Sequence, residues 1–284
     1  MTKDKLGLIL EGGGVKGAYQ AGAMLALKEH GIDFDGVAGT SIGAINGALY
    51  LQGGFDKVLD VWKEVRLTTV FDFTDDEVQK FVDMQILPSV IEYVRRRRDE
   101  KGFLLAKSYE KAQKFFFDIV NEEKLRKSEK DFGLVTVNVT DFAPVEILMK
   151  DIKEGQLVDF IVASASFPIF PPKEIEGKKY YDGGLYDNMP INLLARNGYD
   201  KMLVIRTNPM SKQPKRKLER DNLNLFFIAP SEDIGPAMAF SSVRVRRFMQ
   251  MGYEDCKEAL NNGLKEFLSG ENMSVRVENV GEGI

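Results

Sequence analysis

Short apolar runs alternate with segments of helical periodicity over the first 51 residues. Leu6 to Leu10 is an apolar run that leads into a glycine-rich segment, which predicts a strand buried on both faces of a parallel sheet. From Val15, small and apolar residues recur at helical spacing up to His30, where Gly31 predicts the end of a helix. A second strand is predicted from Phe34 to Ala38, and a second helix with a face of small residues follows it. Two strand-to-helix units in succession predict a βαβ start with right-handed crossovers.

The pattern changes after this second helix. Residues 54 to 130 mix apolar and charged stretches, which predicts a mostly helical insertion. Beyond it, strands are predicted at Phe132 to Thr140, Pro144 to Met149, Lys178 to Tyr181 and Met202 to Arg206, helices at Leu157 to Ala165 and Ser241 to Phe267, and a charged loop or surface helix at Lys212 to Arg220. We therefore predict a single α/β domain over residues 1 to 284, with a mostly parallel central sheet. Its core covers residues 6 to 210, and a helical C-terminal extension covers about 211 to 284.

Composition and charge narrow the classes of function. The 284 residues include 39 Lys and Arg against 43 Asp and Glu, and the formal net charge of −4 predicts no nucleic-acid partner. A single Cys and a single His cannot form an internal disulfide or the ligand clusters of most zinc sites, so no metal is expected. No signal peptide is predicted, and no stretch approaches the ~18 apolar residues of a spanning helix. We expect a cytoplasmic protein that is at most peripheral at a membrane.

The glycine-rich segment after the first strand can bind an anion. Its six residues are Gly12, Gly13, Gly14, Val15, Lys16 and Gly17. This G-x-G-x-x-G pattern also fits the dinucleotide fingerprint, in which glycines let the backbone approach a pyrophosphate at a helix N-terminus. The fingerprint requires an acidic residue at the far end of the second strand, but Asp33 and Asp35 precede that strand or begin it. A tight turn without a ligand is the third interpretation.

A G-x-S-x-G motif follows the second predicted strand. Ser41 is flanked by Gly39, Thr40, Ile42 and Gly43 at a strand-to-helix junction. A nucleophilic serine needs such a sharp elbow, with small neighbours, to lift its hydroxyl clear of the backbone. The motif alone is only moderately specific, because a serine at this position is also an ordinary helix N-cap.

A nucleophilic serine needs a base, and histidine is a poor candidate here. The one histidine, His30, lies upstream of Ser41 at a helix end that we expect at the opposite edge of the sheet. Asp182 is the candidate base, since it ends a short strand and is followed by Gly183 and Gly184, which permit close approach to another backbone. Burial would raise its low intrinsic pKa and make it a better base. Taken alone, the Asp-Gly-Gly pattern is more typical of a simple turn than of a catalytic base.

The three motifs together resemble the patatin-like phospholipases, over roughly residues 6 to 210. The resemblance rests on G-G-G-x-K-G after the first strand, G-T-S-I-G at the next elbow and a distant D-G-G. It implies a three-layer α/β/α sandwich, a dyad of Ser41 and Asp182, and an oxyanion hole formed by the glycine-rich turn. Lys16 occupies the family's Arg or Lys position. Two softer matches, Ala163 to Pro168 and Asp187 to Pro190, are interpreted as supports for the active-site loops.

The sequence thus predicts a serine hydrolase that cleaves acyl esters of lipids, phospholipids among them, without a cofactor. The alternatives are a dinucleotide-binding oxidoreductase and a catalytically silent lipid-binding protein. Residues 54 to 130 could form a lid over an acyl pocket. Arg95 to Arg98 could contact anionic head groups, although such a charge run is also typical of a solvated helix end. Head-group preference and oligomeric state are not predicted.

Overall fold

One mixed sheet forms the centre of the molecule. The computed structural model describes residues 5–64, 111, 113–168, 171–210, 216–237 and 241–269. Within them the strands are β1 Leu6–Leu10, β2 Gly36–Thr40, β3 Asp131–Asn138, β4 Ala143–Leu148, β5 Lys173–Ile175, β6 Lys178–Asp182, β7 Lys201–Ile205 and β8 Asn224–Ile228. Their order is β5-β6-β3-β2-β1-β7-β8, and β4 pairs with β3. The pairs among β3, β2, β1, β7 and β8 are parallel, whereas β4, β5 and β6 pair antiparallel.

Helices cover both faces of this sheet. The helices are α1 Gly17–Glu29, α2 Ile42–Glu64, α3 Glu122–Arg126, α4 Leu157–Ser164, α5 Ile191–Ala195, α6 Ser242–Ala259 and α7 Lys265–Ser269, with a π-helical turn at Leu260–Leu264. Strand β1 shows the layering, because Leu8 and Leu10 join the large core with α1, α2 and α6, whereas Ile9 joins a second core with α5. The alternation of side chains along a strand places these two cores on opposite faces. The predicted three-layer α/β/α sandwich with a mostly parallel sheet is confirmed.

The register of β3 decides where the site forms. On one side of β3, Val135 pairs with Thr40 of β2, and the next residue, Thr136, pairs with Asp182 of β6. Strand β4 occupies the other side at both positions. Strand β6 therefore continues along β3 where β2 stops. The end of β6 meets the end of β2, directly before residue 41.

Most predicted elements exist, with shifted boundaries. The second strand begins and ends two residues later than predicted, so that it reaches the elbow, and the closing helices extend two residues beyond the predicted range, to Ser269. Strands β5 and β8 and helix α5 were not predicted, and β8 shows that the C-terminal extension is not purely helical.

The predicted insertion is described only in part. Helix α2 continues through a kink at Gly53 and Gly54, and its second half packs in the large core. Residues 113–119 and α3 are helical as well. Most of the proposed lid, including Arg95 to Arg98, lies outside the described residues.

Candidate active site

Ser41 is the single residue between β2 and α2, and it lies in a sharp turn. Its φ is 57°, in the left-handed region that non-glycine residues rarely adopt. The turn is closed by direct backbone contact, since a Cβ on Gly39 would collide with the Gly43 carbonyl group, and one on Gly43 with the Leu10 carbonyl oxygen. Ser41 itself is only partly buried. These features are those of an elbow that presents a serine hydroxyl at the carboxyl edge of the sheet.

The end of α4 and the loop before α5 hold this elbow in place. The Ser41 amide donates to the Ser164 hydroxyl at 2.9 Å, and the Thr40 hydroxyl donates to the Asp187 carbonyl at 2.8 Å. The residue after Ser41, Ile42, packs where a side chain on Gly17 would lie. Both softer motifs of the sequence, around residues 164 and 187, thus contact the elbow directly.

Asp182 is a buried carboxyl group in hydrogen-bonding contact with the Ser41 side chain. Its Oδ1 also accepts from the Gly184 amide at 2.8 Å, and its own amide donates to the Ser166 carbonyl at 2.8 Å. Close approach depends on Gly183, where a Cβ would collide with the Val135 carbonyl oxygen. Burial raises the pKa of Asp182 to about 6, although the hydrogen bonds from Ser41 and Gly184 oppose that rise. The carboxyl group is therefore a stronger base than a solvated aspartate, yet ionised at neutral pH.

The glycine-rich turn lies against the elbow, and most of its backbone amides already donate hydrogen bonds within the protein. A Cβ on Gly12 would lie 3.2 Å from the Ser41 Cβ. Four amides of the turn donate within the protein: Gly12 to Asn188, Val15 to Ala237, Lys16 to Gly13, and Gly17 to Gly14 and Val15. Among the described residues, the amides of Gly13 and Gly14 have no protein acceptor. Of the six residues predicted as an oxyanion hole, these two retain N–H groups that can bind an anion.

Two buried polar residues behind the turn, Glu11 and Thr207, were not predicted from the sequence. Glu11, at the end of β1, accepts from the amides of Thr207 and Asn208 at 2.8 and 3.3 Å and from the Asn208 side chain at 3.1 Å. Lys16 is buried and donates to Asn208 Oδ1 at 3.0 Å. One signal was available, since Glu11 and Thr207 each follow a strand that the sequence predicts, and ligand sites of open α/β sheets gather at such ends.

The acidic residues that a dinucleotide site would use lie elsewhere. The Asp35 carboxylate accepts from the Leu6 amide at 2.8 Å, at the amino end of β1, and Asp33 pairs with Lys130 at 2.7 Å. Both therefore lie at the opposite edge from the glycine-rich turn. In the described part of the chain no three His, Cys, Asp or Glu side chains converge as metal ligands, and none of its helices is long and apolar enough to cross a bilayer.

His30 is expected to be dispensable for activity. It follows the last residue of α1, and its ring Nδ1 lies 2.9 Å from the Ala26 carbonyl oxygen. The chain then turns at Gly31 and reaches the amino end of β2, so the imidazole lies at the far edge from Ser41. We expect His30→Gln to keep kcat within a few-fold of wild type and to leave the pH profile unchanged. A 100-fold loss in a folded variant would identify the imidazole as the base.

Comparison with curated proteins finds relatives over about three quarters of this chain. The chain is 25% identical over 219 residues to an uncharacterised NTE family protein of Mycobacterium tuberculosis, covering 77% of this chain and 53% of the relative. It is 24% identical over 207 residues to lysophospholipase NTE1 of Candida albicans, covering 72% of this chain and 13% of the relative. The chain thus spans about half of one relative and about an eighth of the other.

A solved structure matches the fold of this chain, and a family model matches its sequence. The crystal structure of VipD from Legionella pneumophila shares the fold, with a TM-score of 0.58 and 14% identity over 92% of this chain and 67% of that one. A family model described as patatin-like phospholipase matches residues 8–195, which include the glycine-rich turn, the serine elbow and the Asp-Gly-Gly segment. The chain belongs to the patatin-like phospholipase family.

Proposed function

We propose that this protein is a serine hydrolase that cleaves acyl esters of lipids through Ser41 and Asp182. One observation carries the proposal: a serine in a left-handed elbow contacts a buried carboxyl group beside two amides that have no acceptor in the described part of the chain. Nucleophile, base and oxyanion donors are the three components that acyl transfer requires.

The reaction follows from these positions. Asp182 takes the hydroxyl proton while the Ser41 oxygen attacks the acyl carbonyl, and the oxyanion forms against the amides of Gly13 and Gly14. Protonated Asp182 then returns the proton to the leaving alkoxide as the ester C–O bond breaks. Water then attacks the acyl-serine and gives a proton to Asp182, which returns it to the Ser41 oxygen as the bond between serine and acyl group breaks and the fatty acid leaves.

The raised pKa of Asp182 suits both halves of this cycle. A base works best when its pKa lies near the working pH, because it is then both ionised and able to hold a proton. With a pKa of about 6, Asp182 is mostly ionised at pH 7 and is a better acceptor than a solvated aspartate.

The substrate class follows from family membership. We propose a phospholipid, a lysophospholipid or a related acyl-ester lipid, and the lysophospholipase name of the Candida albicans relative supports that range. Such substrates reside in membranes, so we propose a cytoplasmic protein that contacts the lipid surface peripherally. We also propose that residues 1 to 284 form one domain with a variable insertion at about 54 to 130.

Two measurements test the proposal together. Purified protein is incubated with a fluorophosphonate, and the labelled peptide is mapped by mass spectrometry. Fatty acid release is measured from lysophosphatidylcholine, phosphatidylcholine and a short-chain ester. We expect one label per chain, on Ser41, and release from at least one lipid. Lipid binding without labelling or release would instead identify a silent lipid-binding protein, and binding of NAD or NADP would favour the oxidoreductase.

A further inference from the structure

We propose that Thr207 and Asn188 are positioning residues that aim one oxyanion donor, the Gly13 amide, into the active site. The inference rests on the proposed function and assigns a role to two side chains that do not touch the reacting atoms. Thr207 lies just beyond β7 and Asn188 just before α5, far from Gly12 in sequence.

Both side chains bind the same carbonyl oxygen. The Thr207 hydroxyl donates to the Gly12 oxygen at 2.6 Å, and the Asn188 side-chain amide donates to it at 3.0 Å. A carbonyl oxygen has two lone pairs, so these donors saturate it. The Asn188 main chain adds a third link, because its carbonyl accepts from the Gly12 amide at 3.0 Å.

Peptide planarity carries this restraint to the next residue. The Gly12 carbonyl and the Gly13 N–H belong to one trans peptide unit and point in opposite directions. Two donors that fix the carbonyl on the buried side therefore fix the N–H on the other side. Glycine would otherwise allow that peptide to rotate, since it tolerates both signs of φ. The following peptide is held similarly, because the Gly13 carbonyl accepts from the Lys16 amide at 3.1 Å, which orients the Gly14 N–H.

Thr207 is itself placed by a buried carboxylate. Glu11 Oε2 accepts the Thr207 amide at 2.8 Å and lies 3.4 Å from Arg206 Nε. Glu11 and Arg206 are both about 95% buried or more, so this pair is little screened by solvent. Thr207 also packs against Gly13, where an added Cβ would lie 2.5 Å from its hydroxyl oxygen. The end of β7 thus holds the turn that follows β1.

The first test removes one donor with little change in shape. Thr207→Val replaces the hydroxyl by a methyl group, whereas Thr207→Ser keeps the hydroxyl. We expect the valine variant to lose about 10-fold in kcat and in the rate of fluorophosphonate labelling with KM nearly unchanged, as part of the roughly 10² to 10³ that a whole oxyanion donor supplies. The serine variant should recover most of this loss. Wild-type kcat in a folded valine variant, or an equal loss in both variants, would overturn the proposal.

A matched control separates positioning from general stability. Tyr199 is fully buried and donates its hydroxyl to Asp131 at 2.7 Å, at the amino edge of the sheet. Tyr199→Phe should lower the melting temperature without changing kcat. The double variant Thr207→Val with Asn188→Ala should lose about 10²-fold or more in kcat, because both of the described donors to the Gly12 carbonyl are then removed. A double variant no slower than Tyr199→Phe would refute the role.

A readout without catalysis distinguishes this inference from the proposed function. The amide nitrogen shift of Gly13 depends on hydrogen bonding to the preceding carbonyl, and it is measured by NMR in protein with the Ser41→Ala change. We expect Thr207→Val to shift that resonance, and Thr207→Ser to restore it. An unmoved resonance refutes the inference. A moved resonance in a chain whose wild type neither labels nor releases fatty acid refutes the proposed function, while the restraint on the peptide stands.

Discussion

Ser41→Ala protein is expected to lose fluorophosphonate labelling completely and ester hydrolysis by at least about 10⁴-fold, because the proposed acyl-enzyme forms on the Ser41 hydroxyl. The elbow should survive the change. Its geometry depends on the hydrogen bond from the Ser41 backbone N–H to the Ser164 hydroxyl and on the backbone contacts of Gly39 and Gly43. None of these uses the Ser41 hydroxyl. The measurements are labelling stoichiometry, kcat on a lipid ester and the melting temperature of both proteins.

The neighbouring serines provide the comparison for this experiment. Ser164 and Ser166 are fully buried, and Ser166 donates its hydroxyl to the Val162 carbonyl at 2.9 Å. Neither should react with the probe. Ser231, which is exposed, serves as a control whose alanine variant should label like wild type. A label that persists in the Ser41→Ala protein at either buried serine would remove Ser41 from its role.

Two of the strands that the sequence predicted have a simple environment. Leu6–Leu10 and Lys201–Ile205 are buried on both faces, so their apolar runs reveal them directly. Lys173–Ile175 has only three residues, and Asn224–Ile228 is an edge strand that is buried at one residue. Neither shows alternation long enough to be recognised, and both were missed.

The glycine motifs could be recognised in the sequence because each glycine is required by a close contact at its own position. Gly39, Gly43 and Gly183 each lie against another backbone so closely that no Cβ fits, and such contacts leave glycines at fixed positions in the sequence. The meeting of Ser41 and Asp182 is not local. It depends on β6 continuing along β3 from the point where β2 ends. In that register Thr40 pairs with Val135, 95 residues away, and Thr136 pairs with Asp182, 46 residues away. No pattern within a single segment encodes that register.

The residues that hold the glycine-rich turn could not be predicted from the sequence, for the same reason. Glu11 and Thr207 are 196 residues apart, and each one alone is an ordinary polar residue at a strand end. The six residues of the turn looked equivalent as oxyanion donors. Only the hydrogen bonds from Gly12, Val15, Lys16 and Gly17 distinguish them from Gly13 and Gly14.

Asp182→Asn is expected to reduce kcat by about 10² to 10⁴ and to raise the stability of the fold at neutral pH. The amide keeps the shape of the side chain but cannot accept the Ser41 proton. The stability gain follows from the pKa, which burial raises from 3.8 to about 6. The folded state therefore favours the protonated carboxyl group, and its ionisation at pH 7 destabilises the fold by roughly 3 kcal/mol at most. Asparagine removes that cost, so the melting temperature should rise by several degrees.

The pH dependence and a neighbouring aspartate make this expectation specific. Because the pKa is raised in the folded state, the stability deficit of wild type should disappear as the pH falls through about 6 towards 4, and the two melting temperatures should converge there. Asp187 is also buried, and burial raises its pKa to about 6, yet its side chain accepts from the Met189 amide and has no contact with Ser41. Asp187→Asn should therefore stabilise the fold in the same pH range while keeping kcat within about 10-fold of wild type, since only the general base contributes the larger factor. Equal losses of kcat in the two variants would show that the loop after β6, rather than proton transfer at Asp182, limits the reaction.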